Sequence, residues 1–166
     1  MSVRQHHYQV TVTWTGNRGE GTSSYTAYDR SSDLQATGRD PIALSADPAF
    51  RGDASRWNPE QLLLASASAC HKLWYLHVCA DAGIIIDEYQ DNAEGTMVEG
   101  VRGHFTRMTL RPQIRLRHPE DQSRAADLHH KAHDACFIAN SLNFPVDIEP
   151  VFLHDKSSAV CAETGI

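Results

Sequence analysis

The feature that most constrains this chain is a continuous apolar segment, Leu62 to Ala80, placed directly behind a strong helix start. Asn58 can cap a helix, Pro59 suits the first helical position, and Glu60 favours the positive end of the helix dipole. The segment is apolar on nearly every side, and small residues fill its middle. We therefore expect a helix that ends near Gly83, is surrounded by protein and lets another helix approach closely.

The remaining segments predict strands and one further helix. Apolar and polar residues alternate over His7 to Thr15, which predicts a half-buried strand. Its apolar side consists of Tyr8, Val10, Val12 and Trp14. Further strands are expected at Thr22–Tyr28, Ile42–Leu44, Ile84–Met97, His104–Leu116 and Pro145–Leu153. The second helix should open at Pro119 and reach about Ser141.

This order of elements predicts an α+β fold. No repeat, low-complexity segment or linker divides the sequence, so we expect one domain over residues 1–166. Its ordered core should cover about residues 7–153, followed by a mobile tail from His154.

Composition excludes two classes of function. Hydrophobic residues make up 41% of the 166 residues and charged residues 22%, which is typical of a soluble globular protein. The net charge of −6 comes without a cluster of Lys or Arg, so nucleic acid is not an expected partner. Charged and polar side chains, His71, Lys72 and His77, interrupt the apolar segment, which argues against a membrane span. The N-terminal residues do not read as a secretory signal, and we expect a cytoplasmic protein.

Four cysteines in such a chain indicate core residues, metal ligands or redox thiols. Cys70 lies mid-way along the first helix and Cys136 on the second, and each could be a small core residue. Together they also fit an attacking and a resolving thiol, because a redox thiol needs a neighbour that traps its sulfenic acid. Cys79 is expected in the core and Cys161 in the tail. Trp74 could line an apolar pocket or join the core.

Two other chemistries stay open for these residues. His129, His133 and Cys136 share one helical face and suit zinc, with Cys70 as a candidate fourth ligand. The same face could instead be a solvated or hydrogen-bonded histidine surface. A Cys-His hydrolase would need a base from elsewhere, because His71 points about 100° away from Cys70 around the helix.

Two segments resemble the OsmC/Ohr family of organic hydroperoxide reductases. Residues 58–71, NPEQLLLASASACH, resemble the family's central helix motif, which combines a cap, an acid and a cysteine at fixed spacing. Residues 136–146, CFIANSLNFPV, resemble its second-cysteine region. With the strand-first order of elements, the resemblance covers about residues 7–153.

The resemblance implies an OsmC-like α+β fold, with antiparallel sheets wrapped around two central helices in an intertwined homodimer. It implies a peroxidase that reduces organic hydroperoxides or hydrogen peroxide through a Cys70 sulfenic acid and a Cys70–Cys136 disulfide. It further implies a site arginine and a site glutamate, which Arg18 and Glu60 match. The implied reductant is a dithiol such as a lipoylated protein, and no cofactor or metal is expected.

Helix geometry adds a hypothesis about how this site is assembled. Glu60 lies ten positions before Cys70, which corresponds to roughly 15 Å along a straight helix. We therefore expect Glu60 and Arg18 to reach Cys70 from the partner subunit, or the start of the helix to bend. Family members often have proline after the second cysteine, where this chain has Phe137. The alternative function is a non-enzymatic OsmC-like dimer that binds a small ligand or a metal.

Overall fold

The computed structural model describes residues 4–154, and contacts group them into two units, one up to Leu63 and one from Leu64 onward. The first helix begins in the first unit and continues through the second. The predicted mobile tail falls on residues 155–166, outside the described residues. Within residues 4–154, no helix is long and apolar enough to cross a membrane.

The first unit contains a three-stranded antiparallel sheet. Its strands are β1 (Thr11–Trp14), β2 (Ser32–Gln35) and β3 (Ile42–Leu44), in the order β1-β2-β3. The prediction of β3 is confirmed to the residue. β1 is shorter than the predicted strand because its pairing with β2 begins only at Thr11, opposite Gln35.

The predicted strand at Thr22–Tyr28 is wrong, and the chain returns to the sheet only at Ser32. Residues 20–27 form turns instead, and two arginine side chains bind the backbone carbonyls around them. Arg18 donates to the carbonyls of Thr26 and Ala27, and Arg30 donates to those of Tyr25 and Tyr28. These carbonyls are thereby satisfied without a strand partner, which alternation alone could not reveal.

The apolar side of the predicted strand His7–Thr15, which includes β1 and the residues before it, is not covered within one chain. Tyr8 is 92% exposed, Val10 62% and Val12 60%, whereas the alternation predicted a half-buried strand. The expectation of burial is thus wrong for the single chain, since β2 pairs with the edge of β1 and leaves its face open.

The first helix, α1 (Pro59–Asp81), begins and ends where the sequence predicts. Asn58 and Gln61 form a reciprocal cap. The Gln61 N–H donates to Asn58 Oδ1 at 2.8 Å, and the Asn58 N–H donates to Gln61 Oε1 at 3.2 Å. Beyond its end, Gly83 adopts a left-handed φ of 72° and its N–H donates to the carbonyl of Ala80 at 3.0 Å.

Only one side of α1 is fully buried. Its buried residues recur every fourth position, as expected for a stripe along a helix: Ala67, His71, Tyr75 and Cys79. Leu73, on another side, is 64% exposed. The expectation that protein surrounds the whole helix is therefore wrong for a single chain.

The second unit contains two three-stranded sheets. Their strands are β4 (Ile86–Asp91), β5 (Glu94–Val98), β6 (His104–Leu110), β7 (Pro112–Leu116), β8 (Val146–Ile148) and β9 (Val151–Leu153). The sheet orders are β4-β7-β9 and β5-β6-β8. β4 with β7, and β5 with β6, pair antiparallel, whereas β8 and β9 add in parallel.

Each of the three long strands predicted for this unit is broken into two. The breaks lie between β4 and β5, between β6 and β7 at Arg111, and between β8 and β9 at Pro150. Asp91 joins two of these breaks, because its Oδ1 accepts the N–H of Arg111 at 2.7 Å. The chain thus turns a corner from one sheet into the other, and proline at positions 112 and 150 removes ladder donors there.

The second helix, α2 (Gln122–Ala135), lies between two short 3-10 turns, Pro119–Asp121 and Ala139–Ser141. It is shorter than the predicted helix because Cys136 leaves helical geometry, with ψ at 106°. The largest buried cluster of this unit joins α1, α2 and the β4-β7-β9 sheet, and contains Tyr75, Ile114 and Leu128. The predicted α+β class is confirmed.

Candidate active site

Two thiols meet in the second unit. Cys70 lies on α1 and is half-buried, while Cys136 directly follows α2 and is 1% exposed. The Cys70 thiol lies close enough to Cys136 to raise the pKa of the Cys136 thiol. Burial, together with this proximity, raises the pKa of Cys136 to about 11, although the N–H groups of Ala139 and Ile138 act in the opposite direction. Both thiols are free. The sequence left open whether they meet, and the structure brings them together.

The end of α2 positions Cys136. Its N–H donates to the carbonyl of His133 at 3.0 Å, and its own carbonyl accepts the N–H of Asn140 at 3.0 Å. The Ala139 N–H points at the Cys136 sulfur, 3.5 Å away. The side chain of Asn140 donates to the carbonyl of Asp134 at 2.9 Å, which satisfies one of the last carbonyls of α2. Cys136 therefore sits in a turn with a fixed backbone.

A partly buried hydrogen bond to a carboxylate anchors the part of α1 that carries Cys70. Ser68 lies two residues before Cys70, and its hydroxyl donates to Asp91 Oδ2 at 2.5 Å. The other oxygen of Asp91 accepts the N–H of Arg111 at the corner between the sheets. Asp91 thus ties the helix to the place where the strands change sheet. No local pattern in the sequence predicts this contact.

A pair of buried histidines links the same two helices. His71 Nε2 lies 3.0 Å from His129 Nδ1, and their rings stack with centroids 5.3 Å apart. Tyr75 stacks on His129 at 3.9 Å, and its hydroxyl donates to the carbonyl of Ala125 at 3.2 Å. His71 and His129 are 1% and 4% exposed. The side of α1 that carries His71 therefore faces α2. His71 is thus engaged with His129 and is not placed as the base of a Cys-His hydrolase.

Burial keeps both imidazoles neutral. It lowers the pKa of His71 to about 4, with a smaller contribution from His133, and the pKa of His129 to about 3, with smaller contributions from His71 and His130. His71 Nδ1 and His129 Nε2 are buried without a hydrogen-bond partner in the described chain. The sequence signal for this pair was the position of His71, which lies every fourth residue from the other buried residues of α1.

The metal interpretation depended on Cys136 continuing the helical face of His129 and His133. Cys136 instead lies outside the helix, and His129 is committed to His71. Among residues 4–154, no group of three or more His, Cys, Asp or Glu is placed to hold a metal ion. Of the alternatives predicted for this helical face, a hydrogen-bonded histidine is the one that His129 fits.

The predicted arginine and glutamate lie in the first unit. The guanidinium of Arg18 donates to two carbonyls of its own turn and lies 3.8 Å from the carboxylate of Asp29, with the side chain 52% exposed. Glu60 stands in the first turn of α1. Its Oε2 is buried and has no hydrogen-bond partner in the described chain. A buried carboxylate oxygen of this kind is poised to accept a hydrogen bond.

The other cysteines lie apart from this chemistry. Cys79 is completely buried in the core cluster of the second unit, as expected, and burial raises its pKa. The hydroxyl of Tyr75 acts on this pKa in the opposite direction. Cys161 falls outside the described residues.

Comparison with known proteins identifies relatives over most of the chain. The family profile described as OsmC-like protein matches residues 52–151. The curated relative YmaD of Bacillus subtilis (strain 168), an uncharacterized protein, is 25% identical over 153 residues, which is 89% of this chain and 93% of YmaD.

Solved structures agree with this assignment. An OsmC-like protein of unknown function from Vibrio cholerae O1 biovar eltor gives a TM-score of 0.79 at 28% identity, over 89% of this chain and 100% of its own. An organic hydroperoxide resistance protein OsmC from Legionella pneumophila gives 0.61 at 20% identity, over 90% and 100% of the two chains, and shows the shared fold. The predicted OsmC-like fold is thereby confirmed. Because the family profile spans more than half of its residues, this chain belongs to the OsmC-like protein family.

Proposed function

We propose that this protein is a thiol peroxidase that reduces organic hydroperoxides. The observation that carries the proposal is the contact between a half-buried thiol, Cys70, and a buried one, Cys136, on two different elements. Family membership supports a redox role of this kind. Structural relatives from Legionella pneumophila and Elizabethkingia anophelis are named organic hydroperoxide resistance proteins.

In the first step, the Cys70 thiolate attacks the terminal oxygen of the hydroperoxide. A sulfur–oxygen bond forms and the oxygen–oxygen bond breaks, so Cys70 is oxidised to a sulfenic acid. The leaving alkoxide takes one proton and departs as an alcohol. With hydrogen peroxide, the same step would release water. Cys70 serves as the attacking thiol because it is the more accessible of the two.

In the second step, Cys136 attacks the sulfur of the sulfenic acid. The new bond is a Cys70–Cys136 disulfide, and the sulfenic hydroxyl leaves with the thiol proton as water. Burial raises the pKa of Cys136 to about 11, so this thiol passes its proton to the departing hydroxyl as its sulfur attacks. A dithiol such as a lipoylated protein then exchanges with the disulfide and restores both thiols. The cycle needs no further cofactor.

We further propose that the working unit is a homodimer in which a second copy supplies Arg18 and Glu60 to the thiol site. The guanidinium would stabilise the thiolate and orient the peroxide oxygen, and Glu60 would fix the guanidinium through a bidentate pair. The unpartnered, buried Oε2 of Glu60 supports its role as an acceptor. The open apolar face of β1 supports a second copy.

The test oxidises the reduced protein with one equivalent of organic hydroperoxide and maps its thiols by mass spectrometry without reductant. The expected product is a Cys70–Cys136 disulfide, with turnover when dihydrolipoamide is added. Cys70→Ser should abolish turnover, and Cys136→Ser should leave a sulfenic acid that over-oxidises. Cys79→Ser is the matched control and should behave as the parent protein. Unmodified thiols in the parent protein would contradict the proposal and favour a non-enzymatic, ligand-binding dimer.

A further inference from the structure

Two aromatic rings lie beside the thiol pair. Phe137 directly follows Cys136, and Trp74 lies one turn after Cys70 on α1. The ring centroids are 5.6 Å apart and the ring planes meet at 74°, an edge-to-face contact. Phe137 is 70% exposed although its neighbour Cys136 is 1% exposed. The large apolar side chain of Phe137 is thus exposed to solvent next to the Cys136 thiol. The proposed peroxidase steps give it no role.

Resting on the proposed peroxidase function, we propose that Phe137 and Trp74 form an aromatic wall that binds the organic group of the substrate and selects hydroperoxides carrying an aromatic ring. An aromatic ring of the substrate can pack on this edge-to-face pair, and the ring–ring contact adds binding free energy beyond that of the buried area. An aliphatic group gains only from burial, and hydrogen peroxide has no apolar surface to bury.

The ring of Trp74 and the backbone of Phe137 are held in place before substrate arrives. Trp74 packs against the buried core of the second unit, and His77 contacts its ring edge-to-face at 5.7 Å. The carbonyl of Phe137 accepts the hydroxyl of Ser141 at 2.7 Å. Fixed rings lose little conformational freedom on binding, which favours recognition of a small ligand. Trp74 is the ring held by the core, and Phe137 is the ring exposed to solvent.

Steady-state kinetics with three peroxides test the proposal. The value of kcat/KM is measured for cumene hydroperoxide, tert-butyl hydroperoxide and hydrogen peroxide, with dihydrolipoamide as reductant. Phe137→Leu keeps an apolar side chain but removes the ring. We expect it to lower the cumene to tert-butyl preference by about 3- to 10-fold and to affect hydrogen peroxide turnover least. Val101→Ala, an exposed apolar position on the turn between β5 and β6, is the matched control.

Two results would overturn the aromatic wall. An equal loss with all three peroxides would assign Phe137 a structural role in placing Cys136. Loss of the native oligomeric state in Phe137→Leu, measured by light scattering, would assign the ring to a protein interface.

A binding experiment separates this proposal from peroxidase activity. In the Cys70→Ser protein, 2-phenyl-2-propanol, the alcohol formed from cumene hydroperoxide, is titrated against tryptophan fluorescence. A saturable change that Phe137→Leu abolishes supports the aromatic wall even if no peroxide is turned over. Identical titrations of both proteins would overturn it, whether or not the enzyme is active.

Discussion

At the scale of single residues, Cys70 and Cys136 differ in access and therefore in reactivity. Cys136 is buried with its pKa raised to about 11, whereas Cys70 is half-buried. Only thiolates react with alkylating agents, so the reduced protein should be alkylated by iodoacetamide at Cys70 well before Cys136. Labelling at Cys136 should accelerate about tenfold per pH unit up to pH 10. Peptide mass spectrometry follows both sites, with buried Cys79 as internal control, and faster labelling at Cys136 would contradict the assignment.

The buried histidines predict how stability depends on pH. The pKa values of His71 and His129 are lowered to about 4 and 3, so the folded protein binds fewer protons than the unfolded chain. The stability that depends on their neutral form is fully present above about pH 6.5 and is lost as the pH falls toward 4. For His71 the loss in the free energy of unfolding is on the order of 3 kcal/mol. Urea unfolding between pH 7 and pH 4 measures this loss.

A comparison of two variants isolates the histidine contribution from that of the carboxylates. His129→Gln should flatten the dependence of unfolding free energy on pH, because one of the two depressed groups is removed. His104→Gln, at an exposed position, should leave it unchanged. Equal pH dependence in both variants would show that the buried pair does not control acid stability.

At the scale of elements, Asp91 connects α1 with the corner of the sheets. Asp91→Ala would leave the Ser68 hydroxyl and the Arg111 N–H without their acceptor. We expect a loss of about 2–4 kcal/mol in the free energy of unfolding, since both lost hydrogen bonds go to a charged group. Urea denaturation measures this loss.

Asp87 provides the matched control on the same strand. It forms an exposed ion pair with Arg117, and Asp87→Ala should cost less than about 1 kcal/mol. An equally small cost for Asp91→Ala would show that the corner is held by other contacts.

The elements that were predicted well are those whose start and end are determined by residues nearby in the sequence. α1 follows from Asn58 at its start and Gly83 beyond its end, each of which acts on residues only a few positions away. β3 follows from a short apolar run between polar segments. The strand segments Ile84–Met97 and His104–Leu116 were also expected, but not the sheet changes at Asp91 and Arg111, because these depend on a contact between residues distant in the sequence.

The candidate site divides in the same way. Cys70 and Cys136 could be selected from residue type and family resemblance, but their contact depends on how α1 and α2 pack. The His71–His129 pair depends on the same packing and was missed. His129 was instead grouped with Cys136 because the predicted helix ran past Ala135, and the one-residue departure at Cys136 cancels that grouping. Roles for Arg18 and Glu60 stay predictions.

At the scale of the whole molecule, the exposed face of β1 predicts self-association. Val12 of β1, and Val10 just before the strand, are exposed in a single chain, and an open apolar surface is typical of an interface. The protein should have twice the mass of the 18.5 kDa chain in light scattering. Val12→Asp should shift it toward the monomer, because a carboxylate would be buried unpaired.

Thr13→Asp, on the other side of the same strand, should leave the dimer intact. A monomeric parent protein, or equal effects of both substitutions, would contradict a dimer formed through the apolar face of β1. Loss of turnover in the monomeric Val12→Asp protein would further support a site completed by a second copy.

Cys70 and Cys136 are far apart in the sequence, so the proposed disulfide between them would change the thermal stability of the protein. A bond between the two sulfurs would close a loop of roughly 65 residues, which stabilises a folded protein by about 4 kcal/mol in the chain-entropy description. The oxidised form should therefore melt several degrees above the reduced form. The melting temperature of a sample would then report which half of its cycle the protein has reached.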